Sequence, residues 1–79
     1  MRLFKIYSEK LCLLLMCNNF FLVGSRIKDG EIGFYLEHES EDLFNELVEK
    51  HNNLTATVDM IKYKQCRRLL DDELYKNEY

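Results

Sequence analysis

Hydrophobic and polar positions alternate at the start of the chain and then stop alternating, and that change sets out the first elements. From Arg2 to Tyr7, Leu3, Lys5 and Tyr7 fall on one side and Phe4 and Ile6 on the other, the two-residue period of a strand. Ser8 follows as an N-cap by residue type, and Glu9 suits the positive end of a helix dipole. The stretch from Glu9 to about Asn18 then predicts a helix whose residues Leu11 to Cys17 are all apolar. Leu11, Leu14 and Leu15 share one face of it with Asn18, while Leu13, Met16 and Cys17 lie well round from that face. One face can pack on a sheet; the rest needs a third helix or a second molecule to cover it.

Asn18 or Asn19 supplies a residue type that tolerates the left-handed turn closing a helix. Phe20 to Ile27 reads as a strand with Gly24 as a bulge position, Asp29-Gly30 as a tight turn, and Ile32 to Glu37 as the return strand. Phe20 and Phe34 are expected on one side of this hairpin, and Phe21 and Tyr35 on the other. Ser40 caps a second helix, where Leu43, Phe44, Leu47, Val48 and His51 form one stripe before Asn52-Asn53. A short extended segment is expected over residues 54–58, with Thr57 or Asp59 capping a third helix from about Met60 to Lys76. The order β-α-β-β-α-(β)-α predicts a small α+β domain: a three-stranded, mainly antiparallel sheet packed by helices on one face. Its first two strands, joined by one helix, are expected to be parallel neighbours in a right-handed crossover.

Composition narrows the picture. The 79 residues predict one domain, and a chain this short removes only roughly 60–65% of its unfolded surface on folding, which leaves stability marginal. Formal net charge is −3, concentrated in residues 28–53, where eight acids face only Lys28 and Lys50. An acidic chain is a poor default binder of phosphate backbones, so nucleic acid is not the expected partner. Cys12, Cys17 and Cys66 sit in apolar or helical positions and read as reduced, buried thiols, which points to the cytoplasm. A signal peptide is weighed and set aside, because Glu9 and Asn18-Asn19 interrupt its apolar core, and the apolar run is too short to insert through a membrane.

No catalytic or metal signature stands out. Cys12, Cys17, Cys66, His38 and His51 lack metal-ligand spacing, and His38 has no nucleophile placed beside it by sequence and reads as a solvated loop residue. The cluster Glu37, Glu39, Glu41 and Asp42 reads as a solvated helix start, a mimic of a phosphate backbone, or a patch that steers a basic partner. Lys64, Arg67 and Arg68 share a face of the third helix and offer a nucleic-acid contact, blunted by Asp71 and Asp72; pairing of Lys64 or Arg68 with those acids is the plainer expectation.

The segments FKIYSEKLCLLLMCNNFFLV, the glycine-bearing hairpin, GFYLEHESEDLFNELVEKHNN and RRLLDDELYKNEY together resemble a family of small uncharacterised proteins from phages and mobile elements of Gram-positive bacteria. Asn18-Asn19 departs from the glycine expected at the helix end. The resemblance carries no catalytic residues; it implies a protein that binds and inhibits a host protein.

The sequence therefore predicts a non-enzymatic protein-binding module without cofactor, with Leu13, Met16, Phe21 and Tyr35 as apolar anchors and Glu39, Glu41 and Asp42 as steering charges. A regulator contacting nucleic acid through Lys64, Arg67 and Arg68 is the alternative, with a DNA mimic or a homodimer through the first helix behind it.

Overall fold

The computed structural model describes residues 2–54 and 57–76. Its elements are β1 (Arg2–Ile6), α1 (Glu9–Cys17), β2 (Phe21–Lys28), β3 (Glu31–His38), α2 (Glu41–Asn52) and α3 (Met60–Lys76). They form a small α+β domain with one antiparallel sheet.

Local chemistry accounts for most boundaries. The Ser8 hydroxyl accepts from the Leu11 N–H at 3.2 Å and the Ser40 hydroxyl from the Leu43 N–H at 3.0 Å, so both serines cap as their positions suggest. Asp59 caps α3, its Oδ1 accepting from the N–H groups of Ile61 and Lys62. Asn19 takes the left-handed conformation, φ 69°, and turns the chain from α1 into β2. Asp29 (φ 54°) and Gly30 (φ 84°) make the hairpin turn, a pair of positive φ values that an Asp-Gly sequence accommodates. The expected bulge is present: Leu22 pairs with Leu36 and Gly24 with Tyr35, leaving Val23 as the extra residue.

The strand order corrects the expected crossover. β1 and β2 are not neighbours; β3 lies between them and pairs antiparallel with both, giving the order β1-β3-β2. The two outer strands are thus parallel to each other across a central strand contributed by the hairpin. The extended segment expected at residues 54–58 is not a strand where it is described: Leu54 lies in a turn at φ 57°, Thr57 and Val58 have no regular structure, and residues 55 and 56 lie outside the described residues.

All three helices lie on one side of the sheet. α1 runs in the middle, α2 packs beside β1 through the stacked rings of Phe44 and Phe4, 4.3 Å apart, and α3 sits beside β2, where the Ser25 hydroxyl donates to Glu73 at 3.1 Å. That arrangement disposes of the expected apolar excess. With sheet on one side and a helix on each flank, every residue from Leu11 to Cys17 is buried, Leu15 completely. The core continues through Ile6, Phe20, Phe34, Leu36, Leu47, Cys66 and Leu70. Among the described residues no helix is long and apolar enough to cross a membrane.

Candidate functional site

Leu13 and Met16 keep only 3% and 6% of their surface. They belong to the core, which does not suit the exposed apolar anchors expected on α1, although Met16 lines with Phe21, Leu22 and Leu69 a hollow of about 330 Å³ between α3 and β2. Exposed apolar side chains lie elsewhere: Leu3 and Phe21 on the strands, Tyr7 just beyond β1, and Met60, Ile61, Leu69 and Tyr75 on α3.

The open face of the sheet, turned away from the helices, follows from the alternation of the three strands. Phe4, Ile6, Phe34 and Leu36 point to the helices, so Leu3 and Lys5 of β1, with Tyr7 just beyond it, and Gly33, Tyr35 and Glu37 of β3 point away. Across β3, Phe21 stands opposite Glu37, and Arg26 opposite Gly33. Phe21 is 68% exposed and Leu3 58%; Val23 is exposed at the bulge and Tyr35 is half-buried. Phe21 and Tyr35 therefore do share a face, opposite to Phe20 and Phe34, as the alternation implies. The face is graded along the strands. One end carries Leu3 and Phe21 on either side of Glu37; the other carries Lys5, Arg26 and Lys28 round a hollow of about 250 Å³ with Gly33 as its floor.

Lys5 is the best-held side chain of this face. A Cβ placed on Gly33 would come within 3.0 Å of Lys5 Cε, so the lysine stem lies directly on the glycine. Its ammonium stands 5.3 Å from the centre of the Tyr7 ring and 5.5 Å from that of Tyr35. Interaction with Tyr7, and after it Tyr35, raises the Lys5 pKa above the ordinary lysine value. Lys5, Arg26, Lys28 and Gly33 were not singled out by sequence reasoning. A glycine in the middle of an otherwise bulky return strand, opposite an alternating Lys-x-Tyr, was the signal available.

The acidic cluster is at the start of α2. Glu39, Glu41 and Asp42 are exposed, but Glu41 is engaged by Arg2 at 2.6 Å, tying the first turn of α2 to the first residue of β1. Further along, Glu46 pairs with Lys50. His38 ends β3 and is not a solvated loop residue: its ring stacks on Phe20 at 4.2 Å and its Nδ1 accepts from the Ser40 N–H at 2.9 Å. Half-buried His51 closes the stripe of α2 as expected.

On α3 the three expected cations separate. Lys64 and Arg68 flank Ile61, Gln65 and Leu69 on the outward side, round a shallow depression. Arg67 turns inward to Glu9 at the start of α1 and to Asp71 of its own helix. The intrahelical pair thus forms through Arg67 rather than through Lys64 or Arg68.

The three cysteines are free and buried. Burial pushes the Cys12 thiol up to about 12, with the charge of Glu9 adding to it, and pushes Cys17 up to about 11, where contact with Cys66 reinforces it. Protonated thiols without access to solvent are inert as nucleophiles at neutral pH. Among the described residues no three His, Cys, Asp or Glu side chains converge. No protein-family model matches the chain, and no curated protein and no solved structure matches it.

Proposed function

We propose that the chain is a non-enzymatic protein-binding domain and that its contact surface is the open face of the sheet. One observation carries this reading: Leu3 and Phe21, both more than half exposed, sit with Tyr35 on a face that none of the three helices covers. Exposed apolar and aromatic side chains grouped on a rigid sheet are the usual makings of an interface. The anchors are therefore Phe21 and Tyr35 with Leu3, in place of Leu13 and Met16. Glu39 and Asp42 supply the steering charges, since Glu41 is already paired with Arg2. Following the resemblance of the sequence to small phage and mobile-element proteins, the partner is a host protein and the outcome its inhibition. A reducing cytoplasm suits the three free thiols. The nucleic-acid reading through α3 has less support, because Arg67 is committed to Glu9 and Asp71 and only Lys64 and Arg68 remain outward.

The test uses the tagged full chain and nuclease-treated lysate of the cell in which it acts. A single protein is retained in stoichiometric amount and is lost from the Leu3→Ser, Phe21→Ser double variant, whose urea midpoint stays at the unsubstituted value. Equal retention by that variant would refute the reading, and so would recovery of nucleic acid alone when nuclease is left out.

A further inference from the structure

We infer that the basic end of the open face is a receptor for carboxylates: the hollow above Gly33, between Lys5, Arg26 and Lys28, takes the acidic residues of a partner segment whose apolar residues cover Leu3 and Phe21. This rests on the docking face of the protein-binding reading, not on its steering charges, and states what chemistry the segment seated on that face brings.

Gly33 is the first reason. It lies in the central strand, and its φ is not positive, so neither a turn nor a left-handed backbone calls for glycine there. Glycine weakens a strand interior and is kept where something must approach the backbone closely. Here the close approach is that of Lys5, and a Cβ on Gly33 would also stand 3.5 Å from the Tyr7 ring. The missing side chain leaves the hollow open and lays the Lys5 stem along its floor, with the ammonium set between two tyrosine rings.

The second reason is the state of the cations. Arg2, Lys50, Arg67 and Lys76 each pair with a carboxylate; among the described residues Lys5, Arg26 and Lys28 form no salt bridge, as is true also of Lys10, Lys62, Lys64 and Arg68, but these three meet round one hollow on the open face. Three unpaired cations thus converge on one hollow beside an apolar patch.

The kind of anion follows from what else is there. Asp29 and Glu31 also line the hollow, on the side of Lys28, and Glu37 lies further along the face. A continuous phosphate backbone running along the strands would meet these carboxylates, while one or two side-chain carboxylates can reach Lys5 and Arg26 from above. A hollow of about 250 Å³ has room for such groups. The rings of Tyr7 and Tyr35 are already turned to the Lys5 ammonium, which takes them from base stacking. An acidic protein segment fits these features better than single-stranded nucleic acid.

The experiment follows backbone amide shifts of the 15N-labelled full chain. The probe is the capped peptide Leu-Phe-Glu-Glu-Asp-Glu, compared with its Gln/Asn counterpart and with a single-stranded oligothymidylate. The acidic peptide gives saturable shifts at Arg26, Lys28 and Gly33 that shrink with added salt, and Lys5→Gln and Arg26→Gln each weaken binding by about fivefold. Gly33→Ala, which displaces Lys5, weakens it as well without unfolding the sheet. Equal response to the neutral peptide, tighter binding of the oligonucleotide, or a concentration-dependent dimer that occupies the same amides would each overturn the inference. Partner capture separates the two proposals. A partner kept by Lys5→Gln, Arg26→Gln but lost by Leu3→Ser, Phe21→Ser sinks the carboxylate site and leaves the docking face; one kept by both sinks both.

Discussion

Arg67 of α3 reaches Glu9 in the first turn of α1, joining residues 58 positions apart in sequence. The same guanidinium holds Asp71 one turn further along α3 at 3.2 Å. This contact lies on the side of α3 that faces inward with Cys66 and Leu70, and Lys64 and Arg68 are left outside. Both Arg67 and Glu9 keep more than two fifths of their side-chain surface, so solvent screens the pair. A double-mutant cycle with Arg67→Gln and Glu9→Gln should give a coupling of about 0.5–1 kcal/mol in urea unfolding, reduced by salt. A coupling near zero would mean that apolar packing alone, through Cys66 and Leu70, seats the helix.

Core and interface give opposite expectations for the same kind of substitution. Leu15 is fully buried beneath both flanking helices, so Leu15→Ala should cost about 3–4 kcal/mol. Met16→Ser and Leu13→Ser should likewise destabilise strongly, because each leaves a cavity and buries a hydroxyl. Phe21→Ser on the open face should move the urea midpoint by no more than about 0.5 kcal/mol equivalent. If Met16→Ser instead raised solubility at unchanged stability, α1 would be an exposed surface in solution.

The elements were legible because local chemistry decides them. Alternation marked Phe4 and Ile6 against Leu3 and Lys5, Ser8 and Ser40 announced the helix starts, and Asp29-Gly30 announced the hairpin. The opposition of Phe21 and Tyr35 to Phe20 and Phe34 followed from the same alternation. Strand order was not legible, since whether β3 enters between β1 and β2 depends on contacts between residues such as Phe4 and Leu36 that are far apart in sequence. The fate of Leu13 and Met16 depended on it too: only when α2 and α3 are seen to flank α1 does an all-apolar helix become a core element. The cation hollow was hidden for a similar reason, because Lys5, Arg26 and Gly33 come from three strands.

The two serine caps should be worth about 1 kcal/mol each, yet their removal should read out differently. Ser8→Ala loosens the start of α1, which is central to the core, so the loss should appear in global unfolding. Ser40 both caps α2 and donates its N–H to His38, which is stacked on Phe20. Ser40→Ala should keep that backbone bond and lose the cap alone. Amide exchange should therefore quicken in the first turn of α2, near Leu43, while Leu15 and Leu36 remain protected at the global rate. Uniform quickening across all three elements would show that α2 and the sheet open together.

Alkaline pH should weaken the fold through its buried thiols, and the sign is fixed by the direction of their shifts. Cys12 rises from an ordinary 9.0 to about 12 in the folded chain and Cys17 to about 11, burial being the main cause for both. Below about pH 8 both thiols are almost wholly protonated in either state and contribute little dependence. Above it the unfolded chain releases their protons while the folded chain keeps them, so the unfolded state is favoured increasingly until the folded values are reached. Each thiol adds at most about 1.4 kcal/mol of lost stability per pH unit in that window. Tyrosines and lysines titrate there as well, so the measurement is a difference: urea midpoints followed from about pH 8 to about pH 11 for the unsubstituted chain and for Cys12→Ala. The variant, less stable at neutral pH, should show the shallower alkaline decline. Parallel curves would mean that Cys12 reaches solvent before the fold opens, and the packing of α1 between α2 and α3 would then be looser than the complete burial of Cys12 describes.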